Sequence, residues 1–81
     1  MHTIVVLFQP FVLKQNIVIY NQDKQLVGQH EVAIDDIPAY IERITQDIPV
    51  ELIRVSGHRD YINKYQVDII QKVPNIKFEI G

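Results

Sequence analysis

Apolar positions fall into short blocks punctuated by Pro, Gly, Asn and Asp, and the period within each block predicts its conformation. Thr3 to Phe8 is continuous, β-branched and closed by Gln9-Pro10, the pattern of a buried strand, since Pro cannot donate to a ladder. A second strand is expected from about Asn16 to Asn21, and Phe11-Val12-Leu13, lying between the two, could extend either one. Asn21-Gln22-Asp23-Lys24 is a polar turn and Gln25 to Ile34 resumes extended chain, which makes residues 16 to 34 a hairpin. Gly28 inside the third strand predicts a bulge or a close neighbour.

The period then changes. Asp35-Asp36 ahead of Ile37-Pro38 predicts a helix start, because a carboxylate caps free amides and Pro is tolerated in the first turn. Ile37, Tyr40, Ile41, Ile44 and Ile48 follow helical spacing, and Pro49 closes the element. Val50 to Val55 has strand character and Ser56-Gly57 breaks it. Asp60 to about Lys72 carries Ile62, Tyr65, Ile69 and Val73 on one helical face. After Pro74-Asn75, Ile76-Lys77-Phe78-Glu79-Ile80 alternates strictly, as a strand with one wet face does.

The expected class is therefore α+β, with order β-β-β-α-β-α-β. Three strands joined without a helix must start antiparallel, and the two later crossovers must be parallel. Right-handed crossovers favour sheet order 3-2-1-4-5 with both helices on one face. In strands one and two, however, both alternating sets are apolar: Ile4, Val6 and Phe8 against Val5 and Leu7, and Ile17 and Ile19 against Val18 and Tyr20. A strand with two apolar faces has to be covered on both. Helices on one side leave Val5, Leu7, Val18 and Tyr20 uncovered, so a homodimer, or an unidentified protein partner, is expected on that side.

Length points the same way. A chain of 81 residues buries only about 60% of the surface its unfolded form exposes, so extra stabilisation is expected. With no cysteine, neither a disulfide nor a thiolate zinc site supplies it, and His2, His30 and His58 are too scattered for a closed metal site. No cofactor or metal is expected. Residues 1–81 read as a single domain. The run Ile4 to Phe8 is too short for a secretory signal and nothing approaches the length of a membrane span, which sets cytoplasmic as the expected location.

Net charge is −2. Residues 1 to 40 carry two Lys against four Asp/Glu, and residues 41 to 81 carry six Lys/Arg against six Asp/Glu. Proteins that grip phosphates usually show a basic face, because releasing counterions supplies much of their affinity. Beyond a local grouping of Arg54, Arg59 and Lys64 there is none here, and nucleic acid is not the expected partner.

The order of elements over essentially the whole chain resembles the core of the ribonuclease H-like fold, shared by nucleases, resolvases and actin-like ATPase subdomains. Ile53-Arg54-Val55-Ser56-Gly57, a strand running into a Gly-bearing turn before a helix, is similar to the fourth strand of the resolvase-like members. The nucleases of that fold place an acid in the first strand to hold metal ions against a phosphate. Ile4-Val5-Val6-Leu7-Phe8-Gln9 has no carboxylate, and Pro10-Phe11-Val12 stands where the ATPases need a glycine-rich phosphate turn. The resemblance thus implies the topology without either chemistry.

Ligands of open sheets bind outside the carboxyl ends of the strands, where connections diverge. Here Gln9 meets Ser56-Gly57-His58-Arg59-Asp60, a polar turn entering a helix whose free amides favour an anion. Gln9, Ser56, His58, Arg59 and Asp60 are therefore the candidate ligand-binding residues. The ordinary alternative is that Ser56 or Asp60 caps the helix, Gly57 supplies an unusual dihedral, and His58 and Arg59 are solvated. Ser56, His58 and Asp60 do not form a nucleophile elbow, and no catalytic residue is assigned. Tyr61 and Tyr65 share a helix face; stacking on bases is one reading, and packing of Tyr65 on the sheet with Tyr61 at its margin is the favoured one. The function expected is a small non-enzymatic protein-binding or accessory protein, a homodimer. The alternative is an anion- or nucleotide-binding module built on the Ser56 to Asp60 turn.

Overall fold

A computed structural model describes residues 1–81. The strands are β1 (His2–Phe8), β2 (Lys14–Tyr20), β3 (Leu26–Ala33), β4 (Val50–Gly57) and β5 (Lys77–Ile80), and the helices are α1 (Ile37–Asp47) and α2 (Arg59–Lys72). They form a mixed five-stranded sheet of order β3-β2-β1-β4-β5, as the sequence predicts. β1 and β2 pair antiparallel, as do β2 and β3, while β1–β4 and β4–β5 are parallel.

Local chemistry explains the boundaries. At the β2–β3 turn, Asn21 Oδ1 accepts from the amides of Asp23 (2.9 Å) and Gln25 (3.0 Å), and Lys24 takes the left-handed conformation at φ 63°. The β2–β3 register slips beside Gly28, between Ile19–Gly28 and Tyr20–Leu26, which is the bulge expected there. α1 ends when the Ile48 amide donates to Ile44 and Ile48 itself turns extended, the conformation a following Pro imposes.

Both helices pack on one face of the sheet. Ile4, Val6, Phe8, Ile17, Ile53 and Val55 from the strands meet Ile37, Ile41, Ile62 and Ile69 from the helices in one buried cluster. Tyr65 joins it with its ring stacked on Phe8, centroids 6.1 Å apart, and Tyr61 lies at the margin. Tyr65 is a core anchor and its ring is not free to stack on a base.

Several local expectations need correction. Phe11-Val12-Leu13 belongs to neither strand: it is an exposed loop with Phe11 at φ 64°. β4 runs on through Ser56-Gly57 because Leu7 and Phe8 continue to pair with them. Ile48 lies beyond the end of α1. Asp36 stands at the start of α1 but makes no side-chain capping bond, and Asp35 instead accepts a 2.5 Å hydrogen bond from the Tyr65 hydroxyl. Neither Ser56 nor Asp60 caps α2: His58 occupies the cap position, and its side chain makes no capping bond either. His2 is not free, since its Nδ1 lies 3.2 Å from the Pro49 carbonyl, which accepts from it.

Candidate functional site

The carboxyl ends of β1 and β4 are joined by one tight contact. The His58 amide donates to the Phe8 carbonyl at 2.7 Å. This approach requires glycine at position 57, where φ is +102° and a Cβ would stand 2.1 Å from that same carbonyl oxygen. The turn therefore brings Gln9 beside His58, as expected, but does not assemble the five candidate residues into one pocket. The backbone of Gln9 is already engaged: the fully buried Gln15 side chain accepts from its amide at 2.6 Å and donates to its carbonyl at 3.0 Å. Ser56 is carried by β4, half-buried, in line with Leu7. The His58 ring packs against Tyr61 with centroids 4.7 Å apart, leaving a buried Nδ1 without a partner. Arg59 and Asp60 are exposed in the first turn of α2, and Arg59 borders a shallow concavity with Gly57, Asn63 and Ile80. No three His, Asp or Glu side chains lie close enough to share a metal ion.

Gln15 escaped sequence reasoning although its signal was present. It lies two residues from Ile17 and four from Ile19, in phase with the buried side of β2, where a polar group must be satisfied internally.

The face away from the helices brings the four expected interface residues together. Three rows cross it. Leu26, Tyr20, Thr3, Leu52 and Lys77 align in the first; Gln29, Val18, Val5, Arg54 and Glu79 in the second; Glu31, Asn16, Leu7 and Ser56 in the third. Val5, Leu7, Val18, Tyr20 and Leu52 thus form a continuous apolar strip across the three middle strands. Leu7 is the most open, at 38%. On the β5 side the face is ionic: Arg54 Nη2 donates to Glu79 Oε2 at 2.9 Å and Lys77 Nζ stands 3.3 Å from Glu79 Oε1. These two cations hold the Glu79 carboxyl below its ordinary range, Arg54 contributing most. The uncovered face is therefore apolar along β1 and β2, ionic on the β5 side and polar at Gln29 and Glu31 of β3, while exposed Leu26 carries the apolar strip to the β3 edge beside Tyr20.

No helix is long and apolar enough to cross a membrane. No protein-family model matches the chain, and no curated protein matches it in sequence.

Proposed function

We propose that the chain is a small non-enzymatic accessory protein that works by binding other protein surfaces, and that it self-associates as a homodimer through Val5, Leu7, Val18 and Tyr20. One observation carries this reading: those four side chains lie side by side on the sheet face that no helix covers, with Leu26 extending the strip onto β3 and polar residues flanking the rest. An 81-residue chain also gains from burying that strip, because its own core is small for the entropy it must overcome. The carboxylates of Glu31 and Glu79 on the same face favour a protein over a nucleic acid as the covering surface.

The sheet order supports kinship with the ribonuclease H-like topology, in a version without the first-strand acid its nucleases use. The setting proposed is the cytoplasm, where a cysteine-free chain needs no oxidising environment to fold. The test is light scattering coupled to size exclusion across a dilution series. A dimer that persists at low micromolar concentration and is dispersed by Val18→Lys is the expected result, and a folded monomer at tens of micromolar refutes self-association through this face.

A second reading has its own support. α2 starts without a side-chain cap, its first turn carries the cation Arg59 next to the acid Asp60, and His58 holds an unpartnered buried nitrogen. On this reading the turn takes a small anion, and Arg59→Ala abolishes phosphate binding while leaving the oligomeric state unchanged.

A further inference from the structure

The two edges of the sheet differ. β5 is four residues long, and its Lys77 and Glu79 side chains are tied to Arg54 in one ionic cluster. β3 is eight residues long, carries neither Pro nor Lys, and ends its sheet with one row of backbone groups unpaired, its pairing regular from Gly28 to Ala33 beyond the bulge at Val27. α1 runs beside it: Val32 lines one concavity with Ala39 and Tyr40, the His30 ring is 5.8 Å from the Tyr40 ring, and Val27 and Gly28 line a second concavity with Ile44 and Ile48. Between strand and helix lies a groove of about 600 Å³ with Ile19 in its floor. Gly28 keeps it open, since a Cβ there would reach within 3.3 Å of Ile19 Cδ1.

The helix wall of this groove presents two charges one turn apart, Arg43 and Asp47. Neither forms an ion pair within the chain, and Arg43 is held 5.4 Å above the Tyr40 ring. Arg43 and Ile48 are five residues apart, about 7.5 Å along the helix, and two strand residues span about 6.6 Å. A strand added to β3 would therefore bring its side chains i and i+2, both turned toward α1, level with Arg43 and with the Ile44–Ile48 step.

We propose that the groove between β3 and α1 binds an extended segment of another protein by strand addition to β3, selecting an acidic side chain and a large apolar one two residues apart. The acid meets Arg43, and the apolar group enters between Gly28 and Ile48. Asp47 repels an acid placed one step further along and so fixes the direction of the segment. Main-chain bonds to β3 supply affinity and the alternate side chains supply selectivity. This site is separate from the Val5–Val18 strip and does not depend on it.

The test uses the full chain and two fluorescein-labelled peptides, acetyl-Thr-Val-Glu-Val-Phe-Val-Thr-amide and the same peptide with Lys for Glu, read by anisotropy and by amide chemical shifts. The Glu peptide is expected to bind at least about tenfold more tightly than the Lys peptide, a difference of roughly 1.4 kcal/mol. Arg43→Glu, at an exposed position, is expected to reverse the order, with shifts confined to Leu26–Ala33 and α1. Equal binding of the two peptides, no effect of Arg43→Glu, or shifts centred on Val5 and Val18 overturns the proposal. Concentration-dependent shifts in β3 without peptide overturn it too, because a second copy then occupies the edge. Failure of the dimer proposal would show in light scattering alone and leaves these readouts unchanged.

Discussion

The Tyr65 hydroxyl donates a 2.5 Å hydrogen bond to the Asp35 carboxylate, tying the middle of α2 to the turn before α1 across 30 residues of chain. The bond to Asp35, followed by burial, pushes the Tyr65 hydroxyl up to about 12 from its usual 10.0. A proton held more tightly in the folded state stabilises the fold at pH below 10, and that contribution is lost as pH rises from 10 through 12. Tyr65→Phe is expected to cost about 1 kcal/mol at neutral pH, since Asp35 is exposed and solvent weakens the bond. Urea denaturation over a pH series checks this: the variant has a shallower loss of stability in the alkaline limb than the parent.

Two glycines predict opposite results. Gly57→Ala places a methyl against the Phe8 carbonyl at a dihedral L residues rarely adopt, and should cost more than about 2 kcal/mol or prevent folding. Gly28→Ala meets only the movable end of Ile19, at 3.3 Å, and should shift stability by less than about 1 kcal/mol. Chemical denaturation of the pair distinguishes them, and the Gly28 variant also narrows the groove beside α1.

Gln15→Leu keeps much of the buried volume but leaves the Gln9 amide and carbonyl without their partner, at an expected cost of about 2 kcal/mol. Gln15→Glu retains an acceptor for the amide, loses the donor to the carbonyl and introduces a charge. Its stability should improve as pH falls through the carboxyl's raised range, because the protonated acid can donate again. A Gln15→Glu protein with no pH dependence beyond the parent's would contradict the buried geometry.

Phe11 is 100% exposed and left-handed, so its ring stabilises nothing in the folded chain while its backbone carries strain. Phe11→Gly should leave thermal stability unchanged or raise it by up to about 1 kcal/mol, and should improve solubility. A large drop in melting temperature would show that the ring is covered in solution, which would place a contact on the β1–β2 loop.

Strand count, helix faces and sheet order were legible because each rests on a local period plus the handedness of crossovers. Ile37, Ile41, Ile62 and Ile69 all fall on the buried side where their spacing puts them. The termini were less legible, since a carboxylate before a helix has more than one possible partner: Asp35 answers to Tyr65, a residue far along the chain. The candidate turn was located correctly in space, but its composition hid that Gln9 is occupied by Gln15 and that His58 folds against Tyr61. Arg43 and Asp47 gave no signal as a pair, because only the edge position of β3 makes the groove beside them accessible.

β1 is the central strand, and one of its two neighbours is β4, paired from His2–Val50 to Phe8–Gly57. On the ribosome, β1 through β3 can close as a meander using only nearby partners. Roughly 1 to 5 seconds of synthesis, at about 5–20 residues per second, then separate the end of β3 at Ala33 from Gly57, the partner of Phe8. During that interval β1 is an open edge made of Ile4, Val5, Val6 and Leu7, the most apolar run of the chain. The nascent protein is therefore most prone to mispairing before its second half emerges, and slowing translation between residues 34 and 57 should lower the yield of folded product more than slowing it afterwards.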